Sequence, residues 1–282
     1  MQNLSDISVI RSVLEKHGFN FSKALGQNFL INPSVCPRMA EYSLADKDTG
    51  VIEIGAGIGV LTAELAKIAK KVVCVELDTR LLPILDETLA DFDNIEIVNA
   101  DVMKTDLKAL IEEKFQGMDV VVCANLPYYI TSPVITMLLE SRLPIKAVTV
   151  MIQKEAADRL CTPVGSRDSG AITVCTNYYA EVKQLFNVSR GSFMPAPNVD
   201  STVIRLDIRE NPAVEVSDEK KFFRMVKAAF AQRRKTALNS ISSGMGLSKA
   251  QVGEALRNSG LEENVRAEKL TMEELALLCE NL

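Results

Sequence analysis

Residues 119–129 read Asp-Val-Val-Val-Cys-Ala-Asn-Leu-Pro-Tyr-Tyr. The hydrophobic run from Asp119 to Ala124 stops at Asn125-Leu126-Pro127-Tyr128, as a buried strand would whose carboxyl end presents an amide, backbone carbonyls and a ring. Such a tip suits a flat base carrying an exocyclic amine. The Asn125 amide oxygen can accept one N–H, a neighbouring carbonyl the other, and Tyr128 can stack on the ring. Pro127 fixes its own φ and restricts Leu126 to extended geometry, which holds the acceptors in place. The plainer reading is an Asn-Leu-Pro turn closing a strand.

A second group of residues has the spacing of a nucleotide site. Glu53-Ile54-Gly55-Ala56-Gly57-Ile58-Gly59 follows a short apolar run and opens a helical pattern. Glycines there let a ligand approach the backbone, and the helix start offers free N–H groups. The third glycine comes one position earlier than in a dinucleotide fingerprint, and Val60 stands in its place, which argues against NAD. Glu76 ends the next apolar run, where an acid can bind ribose hydroxyls. Asp101, in Asn99-Ala100-Asp101-Val102, can accept from an adenine amino group or simply cap a turn.

These residues require a particular scaffold. Strand-like segments are expected at Val51–Ile54, Lys71–Leu77, Ile95–Asn99, Asp119–Ala124 and Ala147–Ile152. Helices are expected between them, over Val60–Lys70, Thr79–Asp91 and Ser132–Ser141. The alternation predicts a mostly parallel, Rossmann-like α/β sheet, and Ser201–Ile208 reads as a late antiparallel strand. Gly55, Glu76, Asp101 and Asn125 then fall at the carboxyl ends of successive strands, the edge at which open α/β sheets bind ligands. Polar Arg209-Glu210-Asn211-Pro212 marks a boundary. It divides a catalytic domain, residues 1–209 with an N-terminal extension over 1–49, from an all-helical domain, 210–282. In the latter, Ser248/Gln251 and Thr271/Glu274 read as capping boxes and Gly260 as a helix stop.

Composition excludes several classes. An apolar fraction of 47% over 282 residues is ample for a core, and no run approaches a transmembrane span. The start, Met1 to Asp6, lacks the pattern of a signal peptide. The six cysteines are scattered, as suits a reducing cytoplasm, and Cys74 and Cys123 read as small core residues. The single histidine, His17, lies outside every motif, which disfavours a Ser-His or Cys-His nucleophile, and no metal ligands have suitable spacing.

Taken together, Glu53–Gly59, Glu76, Asp101 and Asn125–Tyr128 resemble the motifs of class I S-adenosylmethionine-dependent methyltransferases of the adenine-N6 branch. Gly26-Gln27-Asn28-Phe29-Leu30 and the loop Phe193–Ser201 resemble those of ribosomal RNA adenine dimethyltransferases, and Phe230-Ala231-Gln232-Arg233-Arg234-Lys235-Thr236 the signature of the small-subunit type. Ser169-Gly170 departs from the pattern, which has Tyr-Gly there. The resemblance implies that Gln27, Asn28, Leu30, Gly55, Gly57, Glu76, Leu77, Asp101, Val102 and Asn125 bind S-adenosylmethionine. It implies that Asn125, Leu126, Tyr128 and Phe193 act on the adenine, Phe193 being otherwise a hydrophobic plug. The implied substrate is two adjacent adenosines near the 3′ end of 16S ribosomal RNA in the immature small subunit. A cytoplasmic monomer needing no metal or membrane is expected. The alternatives are a large-subunit methyltransferase of the antibiotic-resistance type and a non-catalytic ribosome-assembly factor.

Residues 220–235 contain Lys220, Lys221, Arg224, Lys227, Arg233, Arg234 and Lys235 and no acid, in a chain of formal net charge −5. At about 100° per residue, Lys220, Arg224, Lys227, Arg234 and Lys235 share a stripe, opposite Phe222, Phe223, Val226 and Phe230. If the helix runs on through Lys235, this is a cationic ridge for RNA phosphates, to which Arg233 also belongs. The alternative is a solvated face, with the RNA-binding surface elsewhere, near Lys16 and Lys23.

Overall fold

The computed structural model describes residues 4–22 and 26–282; Met1–Asn3 and Lys23–Leu25 lie outside the described residues. Seven strands form one sheet: β1 (Thr49–Ile54), β2 (Lys71–Glu76), β3 (Ile95–Asn99), β4 (Asp119–Asn125), β5 (Ala147–Gln153), β6 (Ala180–Val188) and β7 (Ser201–Ile208), in the order β3-β2-β1-β4-β5-β7-β6. The first five are mutually parallel and β7 runs antiparallel to β5. Their Val/Ile-rich sequences are what a sheet covered on both faces requires, and β1 is buried at every position. The order reverses between β1 and β4, so a crevice opens at the carboxyl ends of those strands. A separate two-stranded ribbon pairs Phe29–Leu30 with Phe193–Met194.

Helices α1 (Ile7–Lys16), α2 (Val35–Tyr42), α3 (Val60–Ile68), α4 (Leu82–Thr88), α5 (Leu107–Lys114), α6 (Thr131–Glu140), α7 (Lys154–Cys161) and α8 (Ala171–Tyr179) precede or alternate with the strands. Beyond β7 the chain is helical: α9 (Glu219–Phe230), α10 (Ala237–Met245), α11 (Lys249–Asn258) and α12 (Met272–Asn281). Both expected capping boxes are formed, Ser248 with Gln251 and Thr271 with Glu274.

The chain divides into two compact units, Met1–Ala157 with Lys183–Ile208, and Asp158–Val182 with Arg209–Leu282. The break at residues 208/209 lies one residue from the boundary read in the sequence. Segment 158–182 differs: it belongs with the C-terminal unit. Its α8 carries Tyr178 and Tyr179, whose rings pack on Phe222 and Phe223 of α9 at centroid distances of 5.1–5.4 Å. Fully burying side chains of this size contributes roughly 1.5–3 kcal/mol each, enough to draw a distant segment into the unit.

Among the described residues, no helix is long and apolar enough to cross a membrane.

Candidate active site

Three strand ends and the turn after β1 build the site. After Ile54 the chain turns through Gly55 (φ 79°) and reaches α3 through Gly59 (φ 87°), conformations that favour glycine. At Gly55 a Cβ would meet nothing within 4 Å, so the backbone borders open space; at Gly59 it would lie 2.9 Å from Leu89 Cδ2. Glu76, the last residue of β2, is 6% exposed. It accepts hydrogen bonds from Gly57 N at 3.2 Å and Asp78 N at 2.8 Å. Burial pushes its carboxyl above the ordinary value, while the two N–H donors oppose that shift. Its backbone carbonyl accepts from Asn99 Nδ2 at 2.8 Å, tying the ends of β2 and β3 together. Asp101 caps its own turn, its carboxylate accepting from Met103 N at 3.0 Å, and it also lines the cavity.

Asn125 ends β4 in register with Met151 of β5. Leu126 is buried and its N donates to Met151 O at 3.3 Å, which fixes the chain as it leaves the sheet. Tyr128 shares a 2.7 Å hydrogen bond with Ser201 Oγ; burial raises its pKa, so the phenol stays neutral at physiological pH.

These residues surround a cavity of about 270 Å³. Gln27, Asn28, Gly55, Gly57, Glu76, Leu77, Asp101 and Val102 line it, as do Asn125, Leu126, Tyr128 and Phe193. Phe193 is 3% exposed and joins the core while forming wall, so it is plug and lining at once. The ribbon pairing Leu30 with Phe193 brings residues 26–30 and the loop from Phe193 to one cavity. Leu30 is the exception: it is buried in the core and is not part of the cavity wall. Phe29 lines the cavity instead.

Sequence reasoning missed several features. Gln27 lines the cavity, but its amide also accepts from Ser22 N at 2.9 Å and donates to Asp78 Oδ2 at 2.7 Å. Asp78 in turn binds the Arg80 guanidinium, which holds its carboxyl below the ordinary value. Tyr129, 56% exposed, and Met103, 40% exposed, also line the cavity. Glu53, in the same motif as the glycines, is 1% exposed and accepts from Cys74 Sγ at 3.3 Å; burial pushes its pKa up to about 7.

The basic segment differs from the expected ridge. Lys220, Arg224 and Lys227 are exposed on α9, but that helix ends at Phe230. Arg233, Arg234 and Lys235 lie in an exposed turn closed by Lys235 N to Gln232 O at 2.9 Å. Thr236 then caps α10 by accepting from Asn239 N, and a cap requires extended backbone that a continuing helix would forbid. Lys16, the other cation considered, pairs with Glu87 at 2.8 Å.

The strand order, the glycine turn and the polar strand ends around one cavity define the fold of a class I methyltransferase. The chain belongs to the ribosomal RNA adenine dimethylase family, which it matches over residues 18–282. A relative from Geobacillus sp., "Ribosomal RNA small subunit methyltransferase A", is 48% identical over 272 residues, covering 95% of this chain and 94% of that protein. A dimethyladenosine transferase from Plasmodium falciparum aligns with a TM-score of 0.73 at 25% identity, covering 89% of this chain and 95% of that one. The 23S rRNA methyltransferase ErmE aligns with a TM-score of 0.68 at 29% identity, covering 90% and 99%.

Proposed function

We propose that this chain transfers methyl groups from S-adenosylmethionine to N6 of two adjacent adenosines near the 3′ end of small-subunit ribosomal RNA. Each adenosine becomes N6,N6-dimethyladenosine. The observation that carries the reading is the placement of Asn125, Leu126 and Tyr128 at a cavity that also holds the glycine turn, Glu76 and Asp101. Nearly full-length similarity to a small-subunit methyltransferase supports that subunit over the large one.

The residues present fit the cofactor. The open space beside Gly55 admits a ligand against the backbone. Buried Glu76 is a charged acceptor suited to ribose hydroxyls, and Asp101 an acceptor suited to an adenine amino group. Gln27, Asn28, Gly57, Leu77 and Val102 would complete the binding wall. The cofactor supplies an electrophilic methyl group.

The protein's task is the nucleophile, because the adenine amino lone pair is delocalised into its ring. Hydrogen bonds from N6–H to the Asn125 amide oxygen and the Leu126 carbonyl favour a pyramidal nitrogen and stabilise the positive charge that develops on it. Tyr128 and Phe193 would hold the base, and stacking contributes about 1–3 kcal/mol per base. The neutral Tyr128 phenol acts as a wall, with Ser201 fixing its orientation. The cationic product loses its proton to water. Orientation then does most of the catalysis and can supply roughly 7–11 kcal/mol.

The C-terminal unit would bind RNA through Lys220, Arg224, Lys227, Arg233, Arg234 and Lys235, as a monomer acting in the cytoplasm on the immature small subunit. The test is incubation with radiolabelled S-adenosylmethionine and unmethylated small or large subunits, followed by nucleoside analysis. Labelled dimethyladenosine from small subunits is expected; label confined to large subunits, or none, overturns the reading.

A further inference from the structure

Asp78 is buried, is not part of the cavity wall, and bonds to two residues that are, Glu76 and Gln27. Its N–H donates to Glu76 Oε1 at 2.8 Å. Its Oδ1 accepts from Arg80 N at 3.1 Å and Arg80 Nε at 2.8 Å, which caps the 3₁₀ turn Thr79–Leu81. A turn cap accounts for Oδ1 alone. Oδ2 accepts from Arg80 Nη2 at 2.6 Å and also from Gln27 Nε2 at 2.7 Å, across 51 positions of sequence. The carboxylate can only accept, and Ser22 N, 2.9 Å from Gln27 Oε1, can only donate, so the Gln27 amide has one orientation. Arg80 Nη1 adds a second tie to the same segment, donating to Asn20 O at 3.2 Å. Gly26, next to Gln27, has φ 59°, and a Cβ there would lie 3.4 Å from Tyr129 Cδ1 and 3.7 Å from Pro127 Cβ. Residues 26 and 27 therefore join the end of β2 to the chain that leaves β4.

We propose that Asp78 is a positioning residue for the cofactor: it clamps Gln27, and with it the wall at residues 26–28, against the strand end that carries Glu76. A hydrogen bond to a charged acceptor is among the stronger ones, and it orders this wall before a ligand arrives, so that binding does not bear the cost of ordering it. Asp78 acts through Gln27 and Glu76 and does not itself touch the ligand. The inference rests on the proposed use of S-adenosylmethionine and adds to it a residue that sets affinity from outside the binding wall.

The test is calorimetric titration of the full chain with S-adenosylmethionine. Asp78→Asn keeps the size of the side chain and an oxygen for the turn, but it sets an N–H donor against the Gln27 amide donor. The dissociation constant is expected to rise about tenfold or more, the usual loss for a hydrogen bond to a charged acceptor. Gln27→Glu sets two carboxylates face to face and should weaken binding similarly. Combining Gln27→Glu with Asp78→Asn again places a donor opposite an acceptor, with the direction reversed. The double variant should recover most of the affinity lost by either single one, whereas independent losses would add. Additive losses, or wild-type affinity in either folded single variant, overturn the proposal. If thermal unfolding shows Asp78→Asn to be misfolded, Gln27→Glu decides, because it keeps the turn cap and the Arg80 pair, and unchanged affinity there overturns the proposal. A wild-type chain that takes up no S-adenosylmethionine overturns the proposed function and this inference with it, while normal wild-type binding with no coupling between positions 27 and 78 overturns this inference alone.

Discussion

Asn125 and Glu76 stand at strand ends on one cavity, yet they have different expected roles. Asn125→Ala should lower single-turnover methyl transfer by roughly 10²–10³, the usual loss of one preorganised polar group, with little change in RNA affinity. A rate near wild type would remove Asn125 from the chemistry. Glu76→Gln should instead weaken S-adenosylmethionine binding by about 1.5–3 kcal/mol, read by calorimetry, because a charged acceptor is removed. Glu53 gives a pH signature. Its pKa of about 7 in the folded chain exceeds the ordinary 4.5, so the native state holds the proton more tightly than the unfolded state. That contribution to stability is fully present below about pH 4.5 and is lost as pH rises towards 7. Glu53→Gln should therefore gain stability relative to wild type by about 3 kcal/mol between pH 4.5 and pH 8 in urea unfolding. Equal pH profiles would show that burial does not hold the proton there. The carboxyl-edge residues were legible because each ends an apolar run. The partnership of Gln27 with Asp78, 51 positions away, was not, since no local pattern encodes a contact made only by folding.

At the scale of elements, strands rich in apolar β-branched residues announce themselves, and strands in which polar residues are interspersed do not. Ile95–Asn99 and Ser201–Ile208 have the bounds expected from sequence, because both are rich in Ile and Val, which suit strands even at the sheet edge where Ile95–Asn99 lies. Ala180–Val188 escaped notice: it lies at the sheet edge and intersperses Glu181, Lys183, Gln184 and Asn187 among apolar residues. The helix expected over Thr79–Asp91 is a short 3₁₀ turn, Thr79–Leu81, followed by α4. Pro83 sits in the first turn of α4, where a missing N–H is tolerated, and so favours a helix start there. The expected basic helix failed for a related reason, because the Thr236 cap outweighs the continued periodicity. Thr236→Ala should lower stability by about 1 kcal/mol, measured by urea unfolding. An unchanged midpoint would mean that the turn bearing Arg233–Lys235 is fixed by something other than this cap.

For the whole molecule, a formal net charge of −5 coexists with a stretch of seven cations and no acid over residues 220–235. The membership of segment 158–182 in the second unit was not readable in the sequence, since it depends on tyrosines meeting phenylalanines more than forty positions later. Local concentration of charge, not the total, governs attraction to phosphate. Replacing Arg224, Lys227, Arg234 and Lys235 together by glutamine should weaken association with unmethylated small subunits and leave S-adenosylmethionine affinity intact. Phe222, Val226 and the rest of the buried α9 face are untouched, so the fold should persist. Each cation withdrawn from a phosphate flattens the log–log salt slope by about 0.7 for single-stranded segments, so four would flatten it by about 3. Binding measured across a salt series, beside a cofactor titration, separates the outcomes. A fall in affinity with a flatter slope assigns these side chains to RNA phosphates. Unchanged affinity and slope would make the stripe an ordinary solvated surface and return the search to the cations of the first unit.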